Sequence, residues 1–161
     1  MTTGTAAAET LKSTVAEITA RIADKPLDAD LDRFLNDTFP PGSETFQRLA
    51  DTCRRGMDEG WLGEREMGGI RFGRPVKPGP ETHGFSVDVV RYRDLAGPHH
   101  GHPKGEIDMI VPLEPDAKFD GRGEGWLVYE PGTAHHPTIS EGEAIVLYLL
   151  PEGEIAFTKG K

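Results

Sequence analysis

A mainly β fold preceded by α-helices is what this 161-residue sequence predicts. Three observations carry that reading. Apolar residues recur at helical spacing only ahead of Gly60; beyond Trp61 the chain turns into short, β-branched segments; and Gly and Pro punctuate those segments, as in GGIRFGRPVKPGPETHG, where they favour turns over helix.

Taken in order, Leu11, Val15, Ile18 and Ile22 recur at spacings of three and four and line one helix face that needs a partner. A shorter helix is expected from about Asp28 to Asn36, with Leu31, Phe34 and Leu35 apolar, closed by FPPG, which no helix crosses. Ser43 is a good N-cap for a third helix, in which Phe46, Leu49, Cys53 and Met57 form a stripe running toward Gly60, where it should stop. Cys53 therefore reads as core. The strands expected next are FSVDVVRYR from Phe85, EIDMIVPL from Glu106, GWLVYE from Gly125 and EAIVLYLL from Glu143. So many short strands imply a sandwich or a barrel.

The length suits one domain able to bury a core without disulfides or a structural metal. Cys53 is the single cysteine and cannot form an internal disulfide, and no apolar run near the N-terminus is long enough for a signal peptide or a membrane span. A cytoplasmic location is expected. A net charge of −9 with a pI near 5.1 repels polyanions, which argues against nucleic acid and anionic membranes as partners. It does not exclude a small carboxylate, because a local arginine can override the mean field.

Five of the six histidines fall in two places: His99, His100 and His102 in PHHGHPKGE, and His135 and His136 in YEPGTAHHPTI. Residues two apart on a strand point the same way, so His100 and His102 can aim two imidazoles into one cavity, and Glu106, of the same parity, can join them after a turn. Pro131 and Gly132 form a turn that delivers His135 as a fourth ligand from a neighbouring strand. Such a mixed N/O set suits one divalent transition metal (Fe, Mn, Zn, Ni or Co), does not suit calcium, and leaves positions open for water or substrate.

These residues carry a resemblance. HGHPKGE resembles the first cupin motif, and GWLVYEPGTAH, with Gly125, Pro131, Gly132 and His135, resembles the second. Cupins imply a jelly-roll β-barrel with one metal held by His100, His102, Glu106 and His135. On this reading residues 62–161 form the cupin barrel, and residues 1–61 a helical segment packed on it in one compact domain. Three positions depart from the pattern: Asp94 stands where the opening glycine is usual, Pro131 lies one place closer to Gly132, and Ile139 replaces a trailing asparagine. None of the three supplies a ligand. Helices ahead of a compact cupin with PHHGHPKGEIDMI and EPGTAHHPT are similar to the bacterial para-hydroxylaminobenzoate lyases. That similarity implies conversion of 4-hydroxylaminobenzoate to protocatechuate with release of ammonia, redox-neutral overall and consuming water. No dinucleotide fingerprint is present, in agreement with that stoichiometry.

Glu106, His136 and His99 are the candidate catalytic residues, Glu106 as fixed ligand or proton shuttle. His99 and His136 have the opposite strand parity, so the plainer expectation is that they point away; a proton-transfer role is the sharper one. Arg91 and Arg93 are candidates for a bidentate grip on a substrate carboxylate, against the plainer reading of an exposed strand edge. His83 and Lys104 are expected to face solvent, and Trp126, Tyr129 and Tyr148 to be β-core. The partner expected is a small aromatic carboxylate, the assembly a homo-oligomer such as a dimer. The alternatives are a cupin dioxygenase or isomerase acting on another small polar molecule, or a non-catalytic, ligand-sensing cupin.

Overall fold

A computed structural model describes residues 3–157. Three helices come first: α1 (Thr3–Ile22), α2 (Ala29–Thr38) and α3 (Glu44–Glu59). The caps follow from the sequence. Asp28 accepts a hydrogen bond from the Leu31 amide, Ser43 accepts one from the Phe46 amide, and Gly60 ends α3 in the left-handed conformation at φ 88°. The predicted stripes are buried: Leu11, Val15, Ile18 and Ile22 of α1 pack with Phe46, Leu49, Cys53 and Met57 of α3 in one core.

The strands are β1 (Arg65–Met67), β2 (Ile70–Val76), β3 (Phe85–Ala96), β4 (His100–His102), β5 (Glu106–Pro112), β6 (Lys118–Phe119), β7 (Gly125–Tyr129), β8 (Thr133–His135), β9 (Thr138–Pro151) and β10 (Ala156–Phe157). They form a seven-stranded antiparallel sheet in the order β1-β2-β3-β9-β5-β7, with β6 paired to β9, and a three-stranded sheet β10-β4-β8. This is the expected mainly β fold behind N-terminal helices, with three differences of detail. The segment Ile70–Val76 is a strand although Gly73 and Pro75 mark it as a turn; the irregularity those residues impose is absorbed as a bulge between Gly73 and Val76. Strand β9 begins at Thr138, five residues earlier than the apolar run suggests, and α2 runs two residues past Asn36.

Side-chain alternation divides the large sheet into two faces. Val87 and Val89 of β3, Ile107, Met109 and Val111 of β5, and Ile145, Leu147 and Leu149 of β9 join the helices in the first core. Val90, Tyr92, Ile110, Val146, Tyr148 and Leu150 point the other way, into the barrel, and pack with Phe119 and Ile139. Burial of the first face gives the helices their place, since neither layer could leave such a surface in water.

Strand β7 ends the large sheet, and α2 closes its open edge with side chains. Asn36 accepts from the Trp126 amide and donates to the Trp126 carbonyl, both at 3.0 Å, and Asp32 accepts from the Val128 amide at 2.9 Å. Trp126 is fully buried, packs edge-on against Phe46 at 6.0 Å, and donates its indole N–H to the Phe39 carbonyl. Replacing Asn36 with Ala strands the Trp126 N–H at this edge, while the Trp126 carbonyl keeps its bond from Arg122, at a cost of about 1–3 kcal/mol for the group left unsatisfied. Urea unfolding should register that loss; a variant as stable as the parent would show that the clamp contributes nothing.

Candidate metal centre

Four side chains meet inside the barrel. His100 and His102 leave β4 on the same face, separated by Gly101, and His100 lies opposite His135 of β8 in the strand register. A turn closed by Gly105 N–H donating to the His102 carbonyl then brings in Glu106 at the start of β5. Gly105 has φ 91°, and a Cβ there would lie 2.8 Å from both a Leu27 methyl and the Tyr129 carbonyl, so only glycine makes this return.

The ligand atoms of His100, His102, Glu106 and His135 all lie within 4.8 Å of one another. Glu106 Oε1 is 3.1 Å from the Nε2 atoms of both His100 and His102, and His135 Nε2 is 3.6 Å from Glu106 Oε2 and 3.2 Å from His100 Nε2. Hydrogen bonds behind the rings set two tautomers. Thr133 donates its hydroxyl proton to the Glu130 carbonyl at 2.6 Å, so it accepts from His102 Nδ1–H at 2.9 Å. Asp120 accepts from His135 Nδ1–H at 2.6 Å. Both Nε2 lone pairs are thereby left for the centre of the group. His102 Nε2 and Glu106 Oε2 are buried without a hydrogen-bond partner. Orphaned atoms at a point where imidazole and carboxylate donors converge are what a borderline divalent metal would satisfy, so the donor set fits such an ion.

The electrostatics agree with a charged centre. Burial alone would raise the Glu106 carboxyl, but the imidazoles of His100, His102 and His135 gathered around it hold it well below the usual range. Asp108, two residues along the same face of β5, is fully buried with neither oxygen partnered; burial, and then the Glu106 charge, push it well above the usual range. Desolvation disfavours charge on His135, yet the hydrogen bond to Asp120 and the nearby Glu106 carboxylate raise it to about 9.

Other candidates lie elsewhere. The rings of His99 and His136 face each other at 4.8 Å between centroids, and His136 Nδ1 donates to the Gly97 carbonyl. They are not part of the four-residue group. Desolvation, followed by the neighbouring imidazoles, pulls His99 below its usual range. Arg91 and Arg93 are not brought to the centre. They share the parity of Val87 and Val89, which places them on the helix-facing side of β3, where Glu143 and Asp58 hold Arg91 and Glu114 holds Arg93. His83 is exposed and hydrogen-bonded to Thr19, and Lys104 is paired with Glu152. Two surface clefts, of about 490 and 390 Å³, are lined by none of the four converging residues. Sequence reasoning missed Asp108, Asp120 and Thr133. The period-two rule from Glu106 reaches Asp108, but nothing local marks the other two.

The family described as PnbB: 4-hydroxylaminobenzoate lyase matches residues 13–157. A 4-hydroxylaminobenzoate lyase from Pseudomonas putida is 33% identical over 155 residues, covering 86% of this chain and 88% of the relative. Another protein of that name, from Nocardioides sp. (strain LMS-CY), is 36% identical over 138 residues, covering 80% and 81%. Among solved structures, an RmlC-like cupin protein from Ralstonia eutropha is similar over 52% of this chain and 57% of its own, with 12% identity and a TM-score of 0.38.

The position of His135 has a pH consequence. In the metal-free protein its pKa is raised from 6.5 to about 9, so its contribution to stability is complete below about pH 6.5 and is lost as pH rises through about 9. A metal needs Nε2 bare, and binding must expel that proton. Thermal melts of metal-stripped protein should fall across this window while cobalt(II) affinity rises. A flat affinity profile would contradict a ligand role for His135.

Proposed function

We propose a function for this chain, which belongs to the 4-hydroxylaminobenzoate lyase family: conversion of 4-hydroxylaminobenzoate and water to protocatechuate and ammonia, dependent on one divalent transition metal held by His100, His102, Glu106 and His135. The observation that carries this reading is the convergence of three imidazoles and one carboxylate in the barrel of a chain from that family. The reaction breaks an N–O bond, places an oxygen from water on the ring carbon beside the nitrogen, and hydrolyses the resulting imine. Atoms and electrons balance without an external carrier. When bound, the metal supplies a Lewis acid for the N–O oxygen and a water that is acidic near neutral pH.

The protein's own groups do the rest. Burial of the site keeps bulk water from competing at the ring. Glu106, held as a carboxylate by its histidine neighbours, would both help hold the ion and offer an oxygen that can take a proton. The His99–His136 pair is next in line to carry protons to solvent, His136 being exposed. Arg91 and Arg93 take no part in this reading, because their acidic partners and their sheet face keep them from the centre. A single, buried cysteine is in keeping with a cytoplasmic enzyme.

Metal analysis of the purified protein, followed by anaerobic incubation with 4-hydroxylaminobenzoate and assay for ammonia and catechol, tests the proposal. Product should form without oxygen or NAD(P)H. His102→Ala should lose both metal and activity yet remain folded, because the two apolar cores do not include the site. Glu106→Gln should lower kcat more than it raises KM. Product that forms only in air, with oxygen consumed in proportion, would make the protein a dioxygenase instead.

A further inference from the structure

Asp120 lies outside both histidine motifs, just beyond β6, with its backbone at φ 51°. Each polar atom of the residue that bears on the site has a defined partner. Its N–H donates to the Thr138 carbonyl at 2.8 Å, and Oδ1 accepts from the Thr138 N–H at 2.9 Å. Oδ2 accepts from His135 Nδ1–H and also from the Tyr129 hydroxyl. The Tyr129 ring stacks on His102, 5.2 Å away at 28°, and lies 4.6 Å from His135.

His135 has the greatest need of such support. The side chains of His100 and His102 are 2% and 0% exposed and are fixed by packing, whereas that of His135 is 12% exposed and leaves a three-residue strand near the surface. An imidazole in that position can rotate or adopt the other tautomer unless something holds its far nitrogen.

We propose that Asp120, braced by Tyr129, is the positioning residue that locks His135 as the Nδ1–H tautomer and thereby sets the metal affinity of the site. The inference rests on the metal reading above. A carboxylate behind a ligating imidazole fixes ring orientation and raises ligand basicity, and loss of such a partner typically weakens metal binding about 10–100-fold. Thr138 anchors Asp120 through two backbone bonds, so the carboxylate is held before any ion arrives. Tyr129 occupies the same oxygen and touches two of the three imidazoles, so removal of its hydroxyl alone should give a smaller loss.

The test uses the full-length protein stripped of metal, titrated with cobalt(II) against a chelating competitor and followed through the cobalt absorption bands. Asp120→Ala should bind about 10–100-fold more weakly than the parent and shift the bands. Asp120→Asn, which keeps a neutral acceptor, should fall between the two, and Tyr129→Phe should stay closer to the parent. If the alanine variant does not fold, the asparagine variant decides by the same readings. A purely structural role would lower the melting temperature of the metal-free variants while leaving the affinity and spectrum of the folded protein at parental values, and that result overturns the proposal. Parent protein that binds no cobalt would overturn both this inference and the metal reading, whereas a parent that binds and variants that bind equally well would remove this inference alone.

Discussion

Alternation along β5 ties the two halves of the molecule together. Its odd-numbered residues, Ile107, Met109 and Val111, are buried against the helical layer, while Glu106, Asp108 and Ile110 project into the barrel. A shift of one residue in the register of this strand would present a carboxylate to the helices and withdraw it from the histidines. The apolar contacts that hold the helices in place therefore also fix the direction of Glu106, and the site inherits its alignment from the core shared by helices and sheet. Gly105 matters for the same reason: it sets the point at which the chain enters β5 after leaving His102.

A second line of support runs through hydrogen bonds. Helix α2 covers the edge of β7 with Asp32 and Asn36, β7 carries Tyr129, and Tyr129 reaches both the His102 ring and the Asp120 carboxylate behind His135. Helix and histidines are thus joined by an unbroken set of contacts, although no helical residue belongs to the ligand group. The helical layer serves as the back wall of the site.

The parts of this arrangement that were legible in the sequence are those governed by local periodicity. The helical stripes, the caps at Ser43 and Gly60, and the shared parity of His100, His102 and Glu106 depend on neighbours a few residues away, and the structure brings these three histidine-motif residues together with His135. Strand β2 was obscured because Gly73 and Pro75 look like a turn when the bulge that accommodates them is not visible. Arg91 and Arg93 show the limit of parity: it says which residues share a face, but not which face meets the ligands. Asp120 and Thr133 depend on contacts between segments distant in sequence, Thr133 as the partner of His102 on the adjacent strand, which spacing along the chain cannot reveal. Asp94 is a different case. It stands where the motif usually has glycine, and it adopts a left-handed φ of 41°, a form open to aspartate, while its carboxylate accepts from the Gly142 N–H.

The tryptophans give the helix–sheet junction an optical signature. Trp126 is sealed between the edge of Phe46 and the carbonyl of Phe39, whereas Trp61, at the end of α3, is only partly covered. An indole removed from water emits at shorter wavelength than a wetted one, so native fluorescence should combine a blue component from the junction with a redder one from Trp61. Lifting the helices from the sheet would move the blue component toward the red, whether or not the histidines had yet parted.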